Sequence, residues 1–304
     1  MEDLQSSKEL NATILLVSLR NFMPRNEEYK YDLGAGVILH KASQVSCWKD
    51  VQEHTSFIYG GDIDESSCCI SCTTDSSNSW QGVKRCQTAL LCIELVKPVL
   101  YNCAIPFLWE NGNQSFQKLW EHKDAYNPIL SIDETHILRP EDIPVIKSAH
   151  VRIANACQQK DNTRITRALN LFWISHLTEN YGVSSILLFS ALEALFSTNR
   201  NEISHQLGER LAFFIEQSAE ARILRYRTIK YCYGIRSTIV HGDTVNPKKV
   251  KDLNGREIDP LGYVSETTRK CLLKILDSDH LFEMFNGQES KLRNYYDEMV
   301  FGSH

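Results

Sequence analysis

An apolar run at residues 186–196, ILLFSALEALF, constrains the fold of this chain more than any other segment. A helix of this composition is apolar on nearly every side, which is typical of the central helix of a bundle. The run is too short to span a bilayer, and it contains Glu193. A carboxylate there is costly unless it is paired, so we expect Glu193 to contact a basic side chain, either Arg210 or Arg236.

The sequence takes on a helical pattern after Arg139. Pro140 followed by Glu141 and Asp142 is typical of a helix start, where acidic side chains complement the helix dipole. Beyond it, apolar residues recur at helical spacing. This pattern assigns residues 139–301 to an all-α helical bundle. Helices are predicted at residues 141–158, 162–178, 182–197, 202–217, 219–241, 264–285 and 288–301.

The first part of the chain has the pattern of strands broken by loops. Runs of β-branched and aliphatic residues predict strands at 12–19, 36–40, 89–96 and 99–105. A segment rich in Ser, Asp and Thr predicts an exposed loop at 62–82. The predicted fold class is therefore α+β, in which a β-rich N-terminal domain at 1–138 precedes the bundle. Residues 302–304 resemble the remnant of an expression tag.

The composition favours a cytoplasmic protein. The first residues lack the basic start and apolar run of a signal peptide, and we expect no membrane contact. The ten cysteines are then more typical of buried small side chains than of disulfides. Cys69 and Cys72 have the spacing of metal ligands, but no second such pair completes a site. We expect no metal and no cofactor.

A strongly basic segment lies at residues 222–251. It holds eight Lys or Arg against one acid, a local charge of +7 in a chain of net charge −5, so the remainder sums to −12. Such a concentration of charge is typical of a surface that binds the phosphates of a nucleic acid. The candidate phosphate-binding residues are Arg222, Arg225, Arg227, Lys230, Lys248 and Lys249.

Arg236 and His241 lie within this segment and are the candidate catalytic pair. A histidine can take or give a proton near neutral pH, and the arginine fork binds two phosphate oxygens. At about 100° per residue the two side chains do not share a helix face, unless His241 lies at a helix end that Gly242 stops. Ser237 is the residue that faces His241 at i,i+4 spacing.

A single Arg/His pair is a thin active site for phosphodiester cleavage. The reaction needs a base, an acid and a group that stabilises the charged phosphorane. Two copies related by a two-fold axis supply two histidines and two arginines, so the motif predicts a homodimer. The same R-x4-H spacing occurs at Arg200 and His205, where we expect a loop arginine and a solvent-facing histidine.

Three consecutive segments together resemble the ApeA-like HEPN domain. They are SALEALF at 190–196, residues 203–211, and YGIRSTIVHG at 233–242, and the likeness extends over about residues 140–300. The resemblance implies a helical bundle that dimerises and, in active members, a ribonuclease that needs no metal. Such enzymes are associated with antiphage defence and toxin systems.

The family's functional residues transfer to positions already singled out. Its arginine falls on Arg236, its following polar residue on Ser237, its histidine on His241 and its buried glutamate on Glu193. The chain departs from the subgroup whose motif ends in H-x-Tyr, because Asp243 follows Gly242. That departure argues against modification of a tyrosine by a partner nucleotidyltransferase.

Three functional interpretations follow from the sequence. The first is a metal-independent endoribonuclease in which the RNA 2′-OH attacks the adjacent phosphate, with Arg236 and His241 acting across a homodimer. The second is a catalytically silent HEPN module that binds RNA or a protein. The third is the regulated effector subunit of a larger defence complex with a partner protein. Under each interpretation, we expect the first 135 residues to set the substrate, partner or trigger.

Overall fold

A computed structural model describes most of the chain in two compact units. The described residues are 11–19, 22–25, 28–44, 68–74, 79–98, 101–110, 115–118, 137–159, 163–178, 180–199, 201–243, 255 and 257–302. The first unit contains the strands and the helices up to Asn155, and the second begins at Ala156. The division lies after Asn155 and not after residue 138.

The first unit is built on an antiparallel sheet with the strand order β2-β3-β4-β1-β5-β6. One helix, α1, contacts β4 and β1 near the centre of the sheet, and a second, α2, follows β6 in the chain. The elements are β1 (Asn11–Leu19), β2 (Lys30–Gly34), β3 (Val37–Lys41), β4 (Cys68–Thr74), α1 (Ser79–Val96), β5 (Tyr101–Glu110), β6 (Ser115–Lys118) and α2 (Ile143–Gln159).

Helix α2 belongs with the sheet because it packs directly on the end of β2. The His150 ring hydrogen-bonds the Leu33 carbonyl through Nδ1 at 2.9 Å. A Cβ at Gly34 would lie 2.5 Å from a methyl group of Val151, so only glycine permits this approach. Gly34 also has a φ of +84°, which glycine adopts without steric cost. These contacts explain why the first unit extends beyond the predicted boundary.

The sheet confirms three predicted strands and corrects two predictions. Residues 12–19, 36–40 and 99–105 lie in or largely in β1, β3 and β5. The strand predicted at 89–96 is wrong, because these residues form the second half of α1 and are buried on almost every side. A helix with no polar face cannot be distinguished from a buried strand by periodicity.

The loop predicted at 62–82 is also wrong in part. It contains the whole of β4 and the beginning of α1, and its remaining residues lie outside the described ranges. In β4 both faces are covered, since Cys68, Cys69, Ile70 and Cys72 are all buried. The cysteines act here as small apolar side chains, so a segment that reads as polar is an inner strand of the sheet.

The second unit is helical and follows the predicted order of elements. The helix predicted at 264–285 is two helices, because Ser278 has an extended backbone and its hydroxyl accepts the Leu281 N–H at 3.3 Å as the N-cap of the second one. The helices are α3 (Arg164–His176), α4 (Tyr181–Phe196), α5 (Ile203–Ile215), α6 (Ala219–Val240), α7 (Pro260–Asp277), α8 (Asp279–Asn286) and α9 (Glu289–Phe301).

Helix α4 is the central helix of this unit, as the sequence predicts. It contacts α3, α5, α6 and α7, and eight of its residues are buried, among them Leu188, Phe189 and Leu192. Residues that would be exposed on an amphipathic helix are apolar here because neighbouring helices cover them. The bundle therefore forms around the run at 186–196.

The C-terminal end of α4 is stabilised by side chains from three other helices. The last carbonyl groups of a helix have no partner inside it, so a buried helix end needs donors from elsewhere. Every carbonyl from Ala194 to Ser197 accepts a side-chain hydrogen bond. The donors are Arg164 of α3, to Ala194 at 3.0 Å and Ser197 at 2.8 Å, Tyr296 of α9, to Leu195 at 2.6 Å, and Arg210 of α5, to Phe196.

His176 makes the stability of the helical unit depend on pH. It is buried at the end of α3, with Nδ1 2.8 Å from the Phe172 carbonyl and Nε2 3.0 Å from the Ser265 hydroxyl. Burial lowers the pKa of His176 to about 4, whereas an unfolded histidine has a pKa of about 6.5. Between these values the unfolded state binds more protons than the folded state.

We therefore expect acid to weaken the fold between about pH 6.5 and pH 4. The contribution of His176 to the free energy of unfolding should fall by about 2 kcal/mol when the pH drops from 7 to 5. Urea unfolding of the parent and of His176→Gln across this range measures it, with the exposed His280→Gln as control. An equal pH slope in the parent and His176→Gln would contradict the assignment.

Candidate functional site

The candidate site is built on the C-terminal end of α6. Gly242 has a φ of +78°; its N–H bonds the Ile239 carbonyl at 3.1 Å, and the Asp243 N–H bonds the Thr238 carbonyl at 3.0 Å. This pair of hydrogen bonds is the Schellman motif, which ends a helix at a glycine. His241 is thereby fixed as the exposed C-cap residue, and the predicted role of Gly242 as the helix stop is confirmed.

Arg236 points away from this exposed end and toward the central helix. Its Nη2 lies 3.9 Å from Oε1 of Glu193 on α4, and its guanidinium centre lies 5.4 Å from the centre of the Tyr233 ring. The side chain is only 21% exposed. Its Nε is buried and has no hydrogen-bond partner among the described residues. The guanidinium is thus held at one edge while at least one N–H donor stays unused.

Glu193 has one of its two predicted partners. Its side chain is 23% exposed, so it is half-buried and not enclosed as we expected. It pairs with Arg236, and the alternative partner Arg210 is wrong. Arg210 is buried, donates to the Phe196 carbonyl and to the Thr198 hydroxyl, and lies 4.3 Å from the centre of the Tyr296 ring. Arg210 therefore stabilises the end of α4 and is not the cation that pairs with Glu193.

Tyr233 lies with Glu193 and Arg236, although it was not among the site residues predicted from the sequence. Its hydroxyl donates to Oε1 of Glu193 at 3.3 Å, and its ring meets Phe189 edge to face at 5.2 Å. Burial and the negative charge of Glu193 raise the pKa of Tyr233, so the phenol stays protonated and acts as a donor. The i,i+3 spacing from Tyr233 to Arg236 is the signal that could have found it.

Arg236 and His241 lie on different sides of α6. Arg236 is half-buried against α4, whereas His241 is exposed, and no hydrogen bond joins their side chains in the described structure. Ser237 is half-buried, and its carbonyl accepts the His241 N–H at 3.1 Å. The structure brings together Glu193, Tyr233 and Arg236, and it leaves His241 about one turn away on the solvent side.

The basic segment is not a single phosphate-binding surface. Arg225 is buried, pairs with Glu216 and donates to the Thr267 hydroxyl at 2.7 Å, so its predicted contact with RNA is wrong. Arg222 is half-buried, bonded to the Glu216 carbonyl at 3.0 Å and stacked 4.5 Å from Phe213. The remaining predicted residues divide into Arg227 and Lys230, which are exposed on α6, and Lys248 and Lys249, which lie outside the described ranges.

The second R-x4-H copy agrees with its predicted place at a helix start. His205 is exposed in the first turn of α5, and Arg200 lies outside the described residues. The His205 ring lies 5.7 Å from the ring of Tyr226 on α6, at an interplanar angle of 77°. His205 thus faces solvent beside an aromatic side chain.

The described part of the chain lacks both a metal-binding cluster and a membrane-spanning helix. Within these ranges no group of three or more His, Cys, Asp or Glu side chains could hold a metal ion. Cys69 and Cys72, the pair with metal-like spacing, are buried in β4. None of the described helices is both long enough and apolar enough to cross a membrane.

The Glu193–Arg236 contact should make only a modest contribution to the stability of the fold. Because both side chains are partly exposed and the two atoms lie 3.9 Å apart, Glu193→Ala should lower the free energy of unfolding by about 1 kcal/mol. Glu193→Gln keeps an acceptor for Tyr233 and should cost less. Urea unfolding measures both, and the exposed Glu283→Ala on α8 serves as the control. A loss above about 3 kcal/mol would mean that Glu193 is an enclosed charge.

In comparisons with known proteins, the chain matches no protein-family model, no curated protein and no solved structure.

Proposed function

We propose that this protein is a metal-independent endoribonuclease of the HEPN class. The observation that carries the proposal is the state of Arg236. Glu193 and Tyr233 hold this side chain in place, yet its Nε–H is buried without an acceptor among the described residues. A buried donor without an acceptor costs about 1–3 kcal/mol. Such a cost is reasonable if the guanidinium turns toward a substrate in the active complex, and a phosphate oxygen suits a guanidinium.

His241 would supply the proton transfers. In the proposed reaction the RNA 2′-O forms a bond to the adjacent phosphorus, and the 2′-OH proton passes to one His241 acting as base. The bond from phosphorus to the 5′-oxygen breaks, and a second histidine donates a proton to that oxygen. Arg236 would stabilise the charge that develops on the phosphorane. The products are a 2′,3′-cyclic phosphate and a 5′-hydroxyl end.

The second histidine would come from another copy of the chain. The start of α4 meets the end of α6 here, because a Cβ at Gly182 would lie 2.8 Å from Ile239. Apolar side chains are exposed on both helices beside this contact: Val240 is 49% exposed, and Tyr181 and Val183 are each 44% exposed. Water contact with such a patch is unfavourable, and a homodimer interface would cover it. That arrangement would place two His241 side chains near one another.

The activity is tested by incubating the purified full-length chain with RNA in the presence of a chelator. We expect cleavage and, on mapping the ends, 2′,3′-cyclic phosphate and 5′-hydroxyl groups. Cleavage that requires added divalent metal, or that leaves 5′-phosphate ends, would contradict the proposal. Binding of RNA without any cleavage would favour the silent module over the enzyme.

The dimer is tested separately with Val240→Glu. Light scattering should show a dimer for the parent and a monomer for the variant, and the monomer should lose cleavage. Val145→Glu, at a residue that is 48% exposed in α2, is the control and should remain dimeric. An active monomeric parent would exclude the composite site.

A role in antiphage defence or a toxin system, with a partner protein that regulates the enzyme, is part of the proposal and rests on the resemblance to the family.

A further inference from the structure

The outer surface where α5 meets α6 carries a compact group of aromatic and cationic side chains. His205 is exposed, and its ring lies 5.7 Å from Tyr226. Lys230 donates from Nζ to the Tyr226 hydroxyl at 3.3 Å and lies 5.2 Å from the centre of the Tyr226 ring. We call His205, Tyr226 and Lys230 the α5–α6 platform.

A glycine allows the platform to be built. A Cβ at Gly208 would lie 2.9 Å from Cδ2 of Tyr226 and 3.2 Å from its Cε2. The Tyr226 ring therefore rests directly on the backbone of α5, where no other residue would leave room for it. Glycine inside a helix costs about 0.5–1 kcal/mol relative to alanine. Its presence here lets the ring pack against the backbone of α5, and such packing limits how far the ring can move before a ligand binds.

The platform lies on the same side of α6 as His241. At about 100° per residue, Lys230 and His241 are separated by only about 20° around the helix, and at about 1.5 Å per residue they are about 16 Å apart along it. Exposed Gly234 lies between them, and a Cβ there would meet nothing within 4 Å. A polymer could follow this face closely from the platform to His241.

The charges on the surface give the polymer an orientation. Arg227 and Lys230 are exposed on α6, whereas Glu209 lies one turn after His205 on α5 and is half-buried. A polyanion would place its backbone over α6 and keep it away from Glu209. The ring of His205 on α5, and the ring of Tyr226, which extends from α6 toward Gly208 of α5, would then meet the bases.

We propose that the α5–α6 platform stacks a base of single-stranded RNA whose backbone runs along α6 toward His241. The identity of the ligand as RNA rests on the proposed function. A single strand is required because bases in a duplex are stacked on one another and present no free face, whereas unpaired bases stack on aromatic side chains. The platform also gives the second R-x4-H copy a role, since His205 binds substrate and takes no part in the chemistry.

The test measures RNA binding in a full-length chain that carries His241→Ala to prevent cleavage. The probe is a short fluorescent single-stranded RNA without secondary structure, and its affinity is read by anisotropy at several salt concentrations. Adding His205→Ala or Tyr226→Leu should weaken binding about tenfold with an unchanged salt slope, because stacking carries no charge. Adding Lys230→Gln should reduce the slope of log affinity against log salt by about 0.7.

Two controls and two competitors complete the design. His280→Ala and Lys291→Gln, which are exposed on α8 and α9, should bind as the parent does. An abasic strand and a duplex of the same length should compete poorly for the parent, and His205→Ala should reduce that discrimination. The platform would be overturned if both His205→Ala and Tyr226→Leu kept the parent's affinity, or if the duplex competed as well as the single strand. Either result is compatible with cleavage by the unmodified chain, so it leaves the proposed function standing. Absence of both RNA binding and cleavage would instead overturn the proposed function.

Discussion

Replacing His241 by alanine is expected to lower the maximal rate of RNA cleavage by about 10²–10⁴-fold, which is the usual contribution of a general acid or base. The fold should be unaffected. His241 is exposed at the helix end, and the Schellman hydrogen bonds that end α6 use only backbone atoms. The measurement is kcat with a chelator present, together with the thermal midpoint of each protein.

Arg236→Lys is the sharpest companion variant. It keeps the positive charge near Glu193 but removes the planar fork that binds two phosphate oxygens. We expect kcat to fall although stability and RNA affinity change little. The exposed His280→Ala should match the parent in every measurement. His205→Ala should raise KM through weaker binding and leave kcat nearly unchanged.

The opposite pattern would relocate the active site. If His241→Ala kept the parent's kcat and His205→Ala lost it, the chemistry would lie at the start of α5. If His241→Ala and Arg236→Lys both kept full activity, no part of the α6 end would be catalytic, whatever the rest of the chain does.

The main features of the helical unit follow from sequence patterns with a direct physical cause. The run at 186–196 has no polar face, so it had to be covered on all sides. Gly242 follows an exposed helix end, where its positive φ completes the backbone hydrogen bonds. Glu193 needed a cation, and Arg236 provides it at 3.9 Å. In each case a single residue type satisfies one strong local requirement.

The errors concern residues whose exposure depends on a neighbouring element. Arg225 was counted with the basic surface because charge in a sequence carries no information about burial. Its spacing did carry that information, since Arg225, Ile229, Cys232 and Arg236 fall on one face of α6. Ile229 and Cys232 on that face are both buried. Arg210 was misassigned because the Phe196 carbonyl that it caps lies at a helix end that is buried only in the folded bundle.

The strand predicted at 89–96 failed for a related reason. A completely buried segment loses the alternation that distinguishes helix from strand. The loop predicted over β4 was wrong for the opposite reason, because polar residues hid a buried strand. The surrounding Ser, Asp and Thr residues are typical of a loop, but the cysteines of this segment are buried on both faces of the sheet. Both elements are decided by packing partners that are remote in sequence.

Arg225 provides the second large effect, which is on stability. Arg225→Ala should lower the free energy of unfolding by about 2–3 kcal/mol, because it removes charge-assisted hydrogen bonds from the half-buried Glu216 and from the Thr267 hydroxyl. The variant leaves Glu216 without its cation and Thr267, which is fully buried, without its donor. It also removes a guanidinium that lies 4.8 Å from the centre of the Tyr263 ring.

Arg227 is the matched control, because it lies two residues further along the same helix and is exposed. Arg227→Ala should change the free energy of unfolding by less than about 0.5 kcal/mol and weaken RNA binding in a salt-dependent way. The two neighbouring arginines therefore separate stability from binding, since the first holds α6 to Glu216 and α7 while the second faces the proposed path of the RNA. Urea unfolding and anisotropy on the same two proteins measure both effects. A stable Arg225→Ala that loses RNA affinity would return Arg225 to the binding surface.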